Sequence, residues 1–402
     1  MEVSKGKQIS VVVGAFLLML ASAIVSNSVG YFIVSVTEAL DITRAQFSIY
    51  YTIVQLTTAV ISLTIGTIYS KLSMRKIFIA GSLGTFVGFM IMSRLNSLMM
   101  VYIGALVIGI FQALIIVPVV KVVNDWVPGK NNGTAIGIVM AATGVGGLMM
   151  GQVMPRVVAN VDWRTGYVVC ACMFLAFTIV GLILAGGKAP QKEEEVKADV
   201  DDKAKNAAYV AKAVKTPAFY LVLLCCFLLC LSHSANQHLA AQLQAKDMDV
   251  NMVAAIMSVW SIGLTIAKIA EGAFYGRIKK FIYVGVVVAC GCFGFLALTG
   301  TGNGMLTLGV ILLGIGCAAD TVLVPGVVND IFGKEMTGAI WGFCWAAFQF
   351  GTASGVVLQG AMFDSTGAYD LGYRLAGGIS LVIAIIFVAY LIKSDKKKVA
   401  EN

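Results

Sequence analysis

The sequence predicts an all-α polytopic membrane protein whose twelve transmembrane helices form two six-helix repeats. Of the 402 residues, 59% are hydrophobic and only 12% are charged, which is too apolar for a soluble domain of this length. The apolar residues form runs of roughly 19–28 residues, long enough to cross a hydrocarbon core about 30 Å thick as helices. Because these runs are continuous rather than alternating, they predict helices and not a membrane β-barrel.

The apolar runs and one polar segment set the predicted domain boundaries. We expect an N-terminal six-helix bundle in residues 1–187, a cytoplasmic linker in 188–216 and a C-terminal six-helix bundle in 217–402. The linker carries charges of both signs, and its part from Asp202 to Lys215 could instead lie as a helix along the membrane surface. The predicted spans are roughly 9–36, 46–70, 77–93, 98–123, 134–158, 165–187, 217–243, 251–275, 281–299, 304–328, 338–362 and 372–393.

An internal repeat relates the two halves of the chain at a spacing of about 205 residues. The segment Val-Val-Asn-Asp occurs at Val122–Asp125 and again at Val327–Asp330, and glycines match as well: Gly104 with Gly309, and Gly109 with Gly314. A membrane chain made of two similar halves predicts a secondary transporter whose site lies between the halves, near the bilayer midplane.

The distribution of charge predicts the orientation in the membrane. The net charge is +8, and Lys and Arg are concentrated in the loops that alternate to one side. This asymmetry predicts a cytoplasmic-membrane protein with both termini in the cytoplasm, and it removes any need for a nucleic-acid partner. An Ala-Ser-Ala sequence at 21–23 resembles a signal cleavage site, but the apolar run continues past it, so we expect it to remain within the first span.

Motifs of enzymes and metal sites are missing from the sequence. There is no P-loop lysine motif, no GxSxG and no HExxH, and the nine cysteines fall inside predicted spans without metal-ligand spacing. We therefore expect no enzymatic activity, no cofactor and no metal. Transport would be driven by an ion gradient or by exchange.

Lys268 is the strongest candidate for substrate binding. It belongs to a polar stripe on one face of the eighth span, formed at steps of three and four by Ser258, Ser261, Thr265, Lys268 and Gly272. A cation inside a membrane needs a partner or a water-filled cavity, so Lys268 is predicted to bind an anionic group of the substrate. The alternative is a structural ion pair with Glu271, one turn away.

Proton coupling is predicted for Asp320, His233 and Glu271. Asp320 lies midway along the tenth span, and its repeat counterpart is Ile115, so the carboxylate breaks the symmetry. It could instead be a fixed partner of Lys268. His233 could relay a proton or could simply be a satisfied hydrogen-bond donor. Glu271 lies near the cytoplasmic end of its span and could instead belong to a gate.

Other polar and aromatic side chains are predicted to line the cavity. They lie at similar depth in the first, second, seventh and eleventh spans. For the aromatic side chains among them, packing in the core or at the membrane interface is the alternative explanation. The candidates for substrate contact, besides Lys268 and His233, are Asn27, Tyr31, Tyr50, Asn236, Gln237, Trp345 and Gln349.

The twelve spans, the repeat and the long central loop resemble the major facilitator superfamily. The loop from Gly66 to Lys76 is similar to a degraded form of that family's glycine-acidic-basic signature, with Ser70 in place of the usual Asp. A second copy runs from Gly272 to Lys280 and also lacks the acid. Because the signature forms a charge lock at the cytoplasmic gate in that family, the resemblance implies gate residues in this chain: Lys71, Arg75, Arg277 and Lys280.

Four stretches resemble the monocarboxylate-porter and oxalate/formate-antiporter branch of that superfamily: Trp126–Gly137, Asp162–Tyr167, Thr216–Phe219 and Phe363–Tyr369. In that branch a basic residue of the eighth helix binds the substrate carboxylate, and Lys268 occupies that position. The Asp that precedes it by four residues in the porters is Leu264 here. The 338–362 span lacks the Lys found in oxalate exchangers, so a single cation would suit a monoanion.

The sequence thus predicts a secondary transporter of a small organic anion, most simply a monocarboxylate. It would work by alternating access, as a proton symporter or an anion exchanger, and a monomer would suffice. Two alternatives remain open at this point. One is transport of a neutral or amphiphilic small molecule, and the other is a transport-inactive sensor with the same fold.

Overall fold

The computed structural model describes residues 4–127, 132–185, 210–274, 277–321 and 323–401, and over these residues it is built of helices. The predicted fold class is therefore confirmed. Most of the predicted linker 188–216 lies outside the described residues, and the proposed domain boundaries on either side of it stay a prediction. Contacts within the chain divide it into two compact units, each described below by itself.

The first unit comprises the described residues of Met1–Lys192 together with Gln237–Ser258. Its long helix α1 packs against both α5 and α6, while α3 and α2 pack against α4. The helices are α1 Lys5–Leu40, α2 Arg44–Lys71, α3 Met74–Met92, α4 Leu98–Trp126, α5 Asn132–Asn160 and α6 Trp163–Ala185.

The second unit comprises the described residues of Glu193–Asn236 and Val259–Asn402. Its core is a buried cluster of aliphatic, aromatic and cysteine side chains. The elements from the seventh span onward are α7a Pro217–His233, a 3₁₀ segment Ser234–His238, α7b Leu239–Gln244, α8 Val250–Phe274, α9 Lys280–Leu298, α10a Asn303–Ala318, α10b Leu323–Phe332, α11 Lys334–Thr366 and α12 Asp370–Glu401.

Ten helical stretches among the described residues are long and apolar enough to cross a membrane. They correspond to ten of the twelve predicted spans, with α7a to α7b counted as one stretch and α10a to α10b as another. The second and eleventh predicted spans are helical too, as α2 and α11.

The repeated glycines pack in the same way in both units. A Cβ at Gly109 of α4 would stand 2.9 Å from the carbonyl oxygen of Val54 in α2. A Cβ at Gly314 of α10a would stand 3.2 Å from the backbone nitrogen of Leu264 in α8. In the first half, therefore, the fourth helix approaches the second too closely for a side chain, and in the second half the corresponding two helices also lie close together. The sequence repeat reflects repeated helix packing.

Replacing Gly109 with alanine is expected to lower stability by about 1–3 kcal/mol, because the new methyl group collides with the backbone of α2. Gly137 of α5 offers a matched control, since a Cβ there meets nothing within 4 Å. Gly137→Ala should be neutral or stabilising by up to about 1 kcal/mol. Thermal unfolding of the purified variants checks this, and equal melting temperatures for the two would contradict the packing described.

Two of the stretches that suggested a transporter branch have structural roles. The Asp162 carboxylate accepts the Thr165 N–H at 2.6 Å at the start of α6, and this hydrogen bond holds the pKa of Asp162 below its usual value. The Arg164 guanidinium lies over the Trp163 ring at 4.2 Å. Gly367 ends α11 with φ of 72°, a conformation that favours glycine. These residues specify helix ends and carry no information about the substrate.

Candidate substrate and ion site

The seventh span is interrupted where its polar residues are densest. Helix α7a ends at His233 and a 3₁₀ segment, Ser234–His238, follows before α7b. The hydroxyls of Ser232 and Ser234 each donate to a backbone carbonyl three residues earlier, at 2.8 Å. Such bonds compete with the helical ladder. A short 3₁₀ stretch within a span often marks a functional hinge.

The tenth span is also interrupted, at Asp320. Helix α10a ends at Ala318 and α10b begins at Leu323. The Ala319 carbonyl accepts the N–H groups of Leu323 and Val324, both at 3.0 Å, and so starts the second helix. Pro325 lacks an N–H, which suits the first turn of a helix better than the middle of a continuous one.

A hydrogen bond between His233 and Asp320 joins the two interrupted spans within the second unit. His233 Nδ1 and the Asp320 carboxylate are 2.8 Å apart, and their side chains are 2% and 19% exposed. The other ring nitrogen, Nε2, is buried without a hydrogen-bond partner among the described residues, and it faces Gly291 of α9. Asp320, predicted as a proton site or as a partner of Lys268, is therefore bound by a histidine.

Lys268 and Glu271 lie beside this pair. Lys268 is half-buried, and both Asp320 and Glu271 are near enough to act on its charge. Glu271 is 2% exposed, and neither carboxylate oxygen has a hydrogen-bond partner among the described residues. Thr265 of the predicted polar stripe donates to its own helix, to the Ser261 carbonyl at 2.8 Å. We refer to His233, Lys268, Glu271 and Asp320 as the charged cluster.

Two thiols, those of Cys230 and Cys317, flank the charged cluster. Cys317 interacts with His233, and Asn236 donates to the Cys317 sulfur at 3.9 Å. Cys230 interacts with Asp320. On the seventh span Cys230 precedes His233 by three residues, and on the tenth span Cys317 precedes Asp320 by three residues. This spacing of about one helical turn was the signal available in the sequence. Among the described residues no group of three or more possible ligands could hold a metal ion.

The remaining candidates of the first and seventh spans lie in the first unit. The Asn27 amide donates to its own helix, to Ala23, at 2.8 Å, and Tyr31 is buried. The Gln237 amide donates to the Tyr51 hydroxyl at 3.4 Å. Tyr50 is 1% exposed and packs in the interior of the unit near Tyr167. Its contact with the substrate stays a prediction.

The second histidine of the chain, His238, contacts a different residue. His238 is fully buried, and its Nε2 lies 3.2 Å from the Ser48 hydroxyl of α2 in the first unit. Ser48 also donates to the Arg44 carbonyl at 2.7 Å. The 3₁₀ segment therefore begins directly after His233, which binds Asp320, and ends at His238, which binds Ser48. No pattern in the sequence predicts this role for Ser48.

The eleventh-span candidates belong to an aromatic group in the second unit. The Trp345 ring lies 6.4 Å from that of Trp341 and 6.2 Å from that of Phe348, and Trp345 is 47% exposed. Gln349 is half-buried. These side chains offer an accessible apolar surface with one amide beside it.

The predicted gate residues differ in their surroundings. Arg75 and Arg277 are exposed, whereas Lys280 Nζ lies 2.5 Å from the Asp330 carboxylate and ties the start of α9 to α10b. The repeat counterpart of Asp330 is Asp125, which pairs with Lys121 on its own helix at 3.0 Å. The side chain of Lys71 lies outside the described residues.

Apolar spans, duplicated helix packing and a buried charged cluster together define a membrane transporter. The sequence profile of the Major Facilitator Superfamily matches residues 11–312 and 234–402. The chain belongs to this family. It is a multi-pass membrane protein and a secondary transporter, and its relatives are transporters rather than enzymes.

Two curated relatives are distant in sequence. The MFS-type transporter pynF of Aspergillus niger is 22% identical over 346 residues, which cover 81% of this chain and 76% of the relative. The hexuronate transporter of Bacillus subtilis is 21% identical over 289 residues, which cover 67% of this chain and 68% of the relative. Neither is close enough to transfer a substrate by itself.

Solved structures share the fold. A bacterial homolog of the human lysosomal transporter Spinster has a TM-score of 0.75 at 14% identity, with 98% of each chain covered. The nucleoside transporter NupG has a TM-score of 0.74 at 14% identity, covering 96% of this chain and 99% of that one. A POT family transporter in complex with 5-aminolevulinic acid has a TM-score of 0.70 at 10% identity, covering 97% of this chain and 96% of that one. At these identities the likeness shows the fold alone.

Proposed function

We propose that the protein transports a small organic monoanion, most simply a monocarboxylate, and that Lys268 binds its carboxylate. One observation carries this proposal: Lys268 has no hydrogen-bond or ion-pair partner among the described residues, although it lies half-buried within a span. Asp320, which is near enough to act on the charge of Lys268, is bound by His233. An uncompensated cation inside a membrane is expected to serve a transported anion.

The balance of charge favours a monoanion. In this proposal His233 is protonated and neutralises Asp320, while Glu271, which has no hydrogen-bond partner among the described residues, is neutral. Lys268 then leaves one net positive charge in the charged cluster. A substrate with one carboxylate cancels that charge, whereas a dianion would leave an excess of negative charge at the same depth.

The relatives and the sequence motifs support an acid substrate. The Bacillus subtilis relative is named for hexuronate, the anion of a sugar acid with one carboxylate. In the monocarboxylate-porter and oxalate/formate-antiporter branch that the sequence resembles, the basic residue of the eighth helix binds a carboxylate, and Lys268 occupies that position. We place proton coupling or anion exchange on the charged cluster, and contacts to the rest of the substrate on Asn27, Tyr31, Asn236, Gln237, Trp345 and Gln349.

The proposal extends to the cellular setting. We place the protein in the cytoplasmic membrane as a monomer, with both termini in the cytoplasm, on the basis of the Lys and Arg distribution in the loops. Arg75, Arg277 and Lys280, with Lys71, are the proposed cytoplasmic gate. The ion pair between Lys280 and Asp330 supports this assignment.

A second candidate substrate is a neutral or amphiphilic molecule held by aromatic side chains. The exposed face of Trp345, beside Trp341 and Phe348, supports this alternative. It predicts that binding depends on apolar surface and is indifferent to a carboxylate.

A binding experiment with matched ligands separates these candidates. Thermal unfolding of the purified protein is followed with lactate and with lactamide, which differ in the carboxylate. A ligand at 100 times its dissociation constant stabilises the folded protein by about 2.7 kcal/mol. We expect stabilisation by lactate and not by lactamide, and the difference should vanish in Lys268→Gln. Equal stabilisation by both ligands would favour the aromatic site, and we would then reject the anion proposal.

A further inference from the structure

Glu271 is a buried carboxyl group to which the fold gives no partner. Its side chain is 2% exposed, and both oxygens are buried without a hydrogen bond among the described residues. Leaving an ionised carboxylate in such a place costs several kcal/mol, so the group is stable there only as the neutral acid or beside a cation. Asp320, by contrast, already has its cation in His233.

Several titratable groups face Glu271 from the elements around it. Lys268 lies three residues earlier on the same helix, which is the spacing at which side chains of a helix can meet. The other groups come from α7a, from the interruption of the tenth span and from α9; they are His233, Asp320, Tyr283 and Cys290. Lys268 is the cation among them that is not already committed to an ion pair.

We propose that Glu271, and not Asp320, carries the coupling proton, and that Glu271 and the substrate compete for Lys268. In the loaded state Lys268 binds the substrate carboxylate and Glu271 is protonated. When the anion leaves, Lys268 turns to Glu271, the proton leaves, and an ion pair forms on one face of α8. Asp320 and His233 stay paired throughout and hold the two interrupted spans together.

The charges balance at each step. The loaded cluster holds a lysine cation, a substrate anion and a neutral carboxyl group. The empty cluster holds the lysine cation and an ionised Glu271. One proton therefore leaves with each monoanion, and the transport is electroneutral proton symport. This transport step rests on the proposed function, whereas the exchange of a proton by Glu271 in the substrate-free protein stands by itself.

The first test follows the titration of Glu271 without any substrate. Infrared difference spectra of the purified protein between acidic and alkaline buffer are compared for wild type, Glu271→Gln and Asp320→Asn. We expect the carbonyl band of a protonated buried carboxyl group to appear on acidification in wild type and in Asp320→Asn, and to be lost in Glu271→Gln. A band of unchanged intensity in Glu271→Gln, or its loss in Asp320→Asn alone, would overturn the assignment.

The second test measures the coupling of protons to lactate, as the uptake of labelled lactate into liposomes under a pH gradient. For one proton per monoanion, a gradient of one pH unit supports accumulation of about tenfold. Glu271→Gln resembles the protonated state, so we expect gradient-driven accumulation to fall to that of protein-free liposomes while exchange with preloaded lactate continues. Asp320→Asn should reduce both modes together. Retained accumulation in Glu271→Gln would refute the inference, and a wild type that moves no acid would refute the proposed function while the infrared result stands.

Discussion

Replacing Lys268 with glutamine is expected to abolish transport of organic anions while leaving the protein folded and in the membrane. Glutamine keeps most of the length of the side chain and removes its charge. A hydrogen bond to a charged group is worth about 1.5–3 kcal/mol, so the affinity for the carboxylate should fall by roughly 10- to 150-fold. Uptake of labelled acid into liposomes, together with the thermal stability of the purified variant, checks both parts of this expectation.

Lys121 provides the matched control for that experiment. It is also a lysine of a predicted span, but it is 44% exposed and pairs with Asp125 one turn away. Lys121→Gln should leave transport within about twofold of wild type, since exposed pairs contribute at most about 1 kcal/mol. Equal losses in the two variants would mean that Lys268 acts through the general charge of the protein and not as a binding residue.

Breaking the pair between His233 and Asp320 is expected to have the largest effect on stability. Removing one member of a buried ion pair costs about 3–5 kcal/mol, because the other member is left buried and unpaired. The loss should be greatest for Asp320→Ala, which removes the carboxylate partner of the His233 imidazole, a side chain that is 2% exposed. Transport should fall with it, since the pair joins the interruptions of two spans.

A double-mutant cycle isolates the interaction. Asp320→Ala, His233→Ala and the double variant are compared by thermal unfolding, and the double variant should be less destabilised than the sum of the single ones. The exposed pair of Lys121 and Asp125 is the control cycle, for which a coupling energy of less than about 1 kcal/mol is expected. Additive effects at His233 and Asp320 would show that the two side chains do not stabilise each other.

The fold could be predicted from sequence because its signals are numerous and local. Continuous apolar runs specify spans, and the glycine pairs Gly104 with Gly309 and Gly109 with Gly314 reveal the repeat, since close helix approach leaves few alternatives to glycine. The stretches around Asp162 and Gly367 point to the family because they form helix ends. For the same reason they say nothing about which anion is transported.

The arrangement of the candidate site was only partly predictable. Asp320, His233, Glu271 and Lys268 were each identifiable as polar groups inside apolar spans, which is a local property. Their pairing depends on side chains from different spans, and no spacing along the chain encodes it. The partner of Asp320 proved to be His233, and the interruptions at Ser234–His238 and after Ala318 bring the pair together.

Transport by the wild-type protein in liposomes tests directly whether the protein moves a small organic monoanion that Lys268 binds. Labelled lactate, pyruvate, formate, oxalate and a hexuronate are offered with and without an imposed pH gradient, and protein-free liposomes set the baseline. We predict that at least one monoanion accumulates above this baseline and that the pH gradient drives the accumulation. Lys268→Gln should remove the accumulation. Absence of movement for every acid, or movement unaffected by Lys268→Gln, would contradict these predictions.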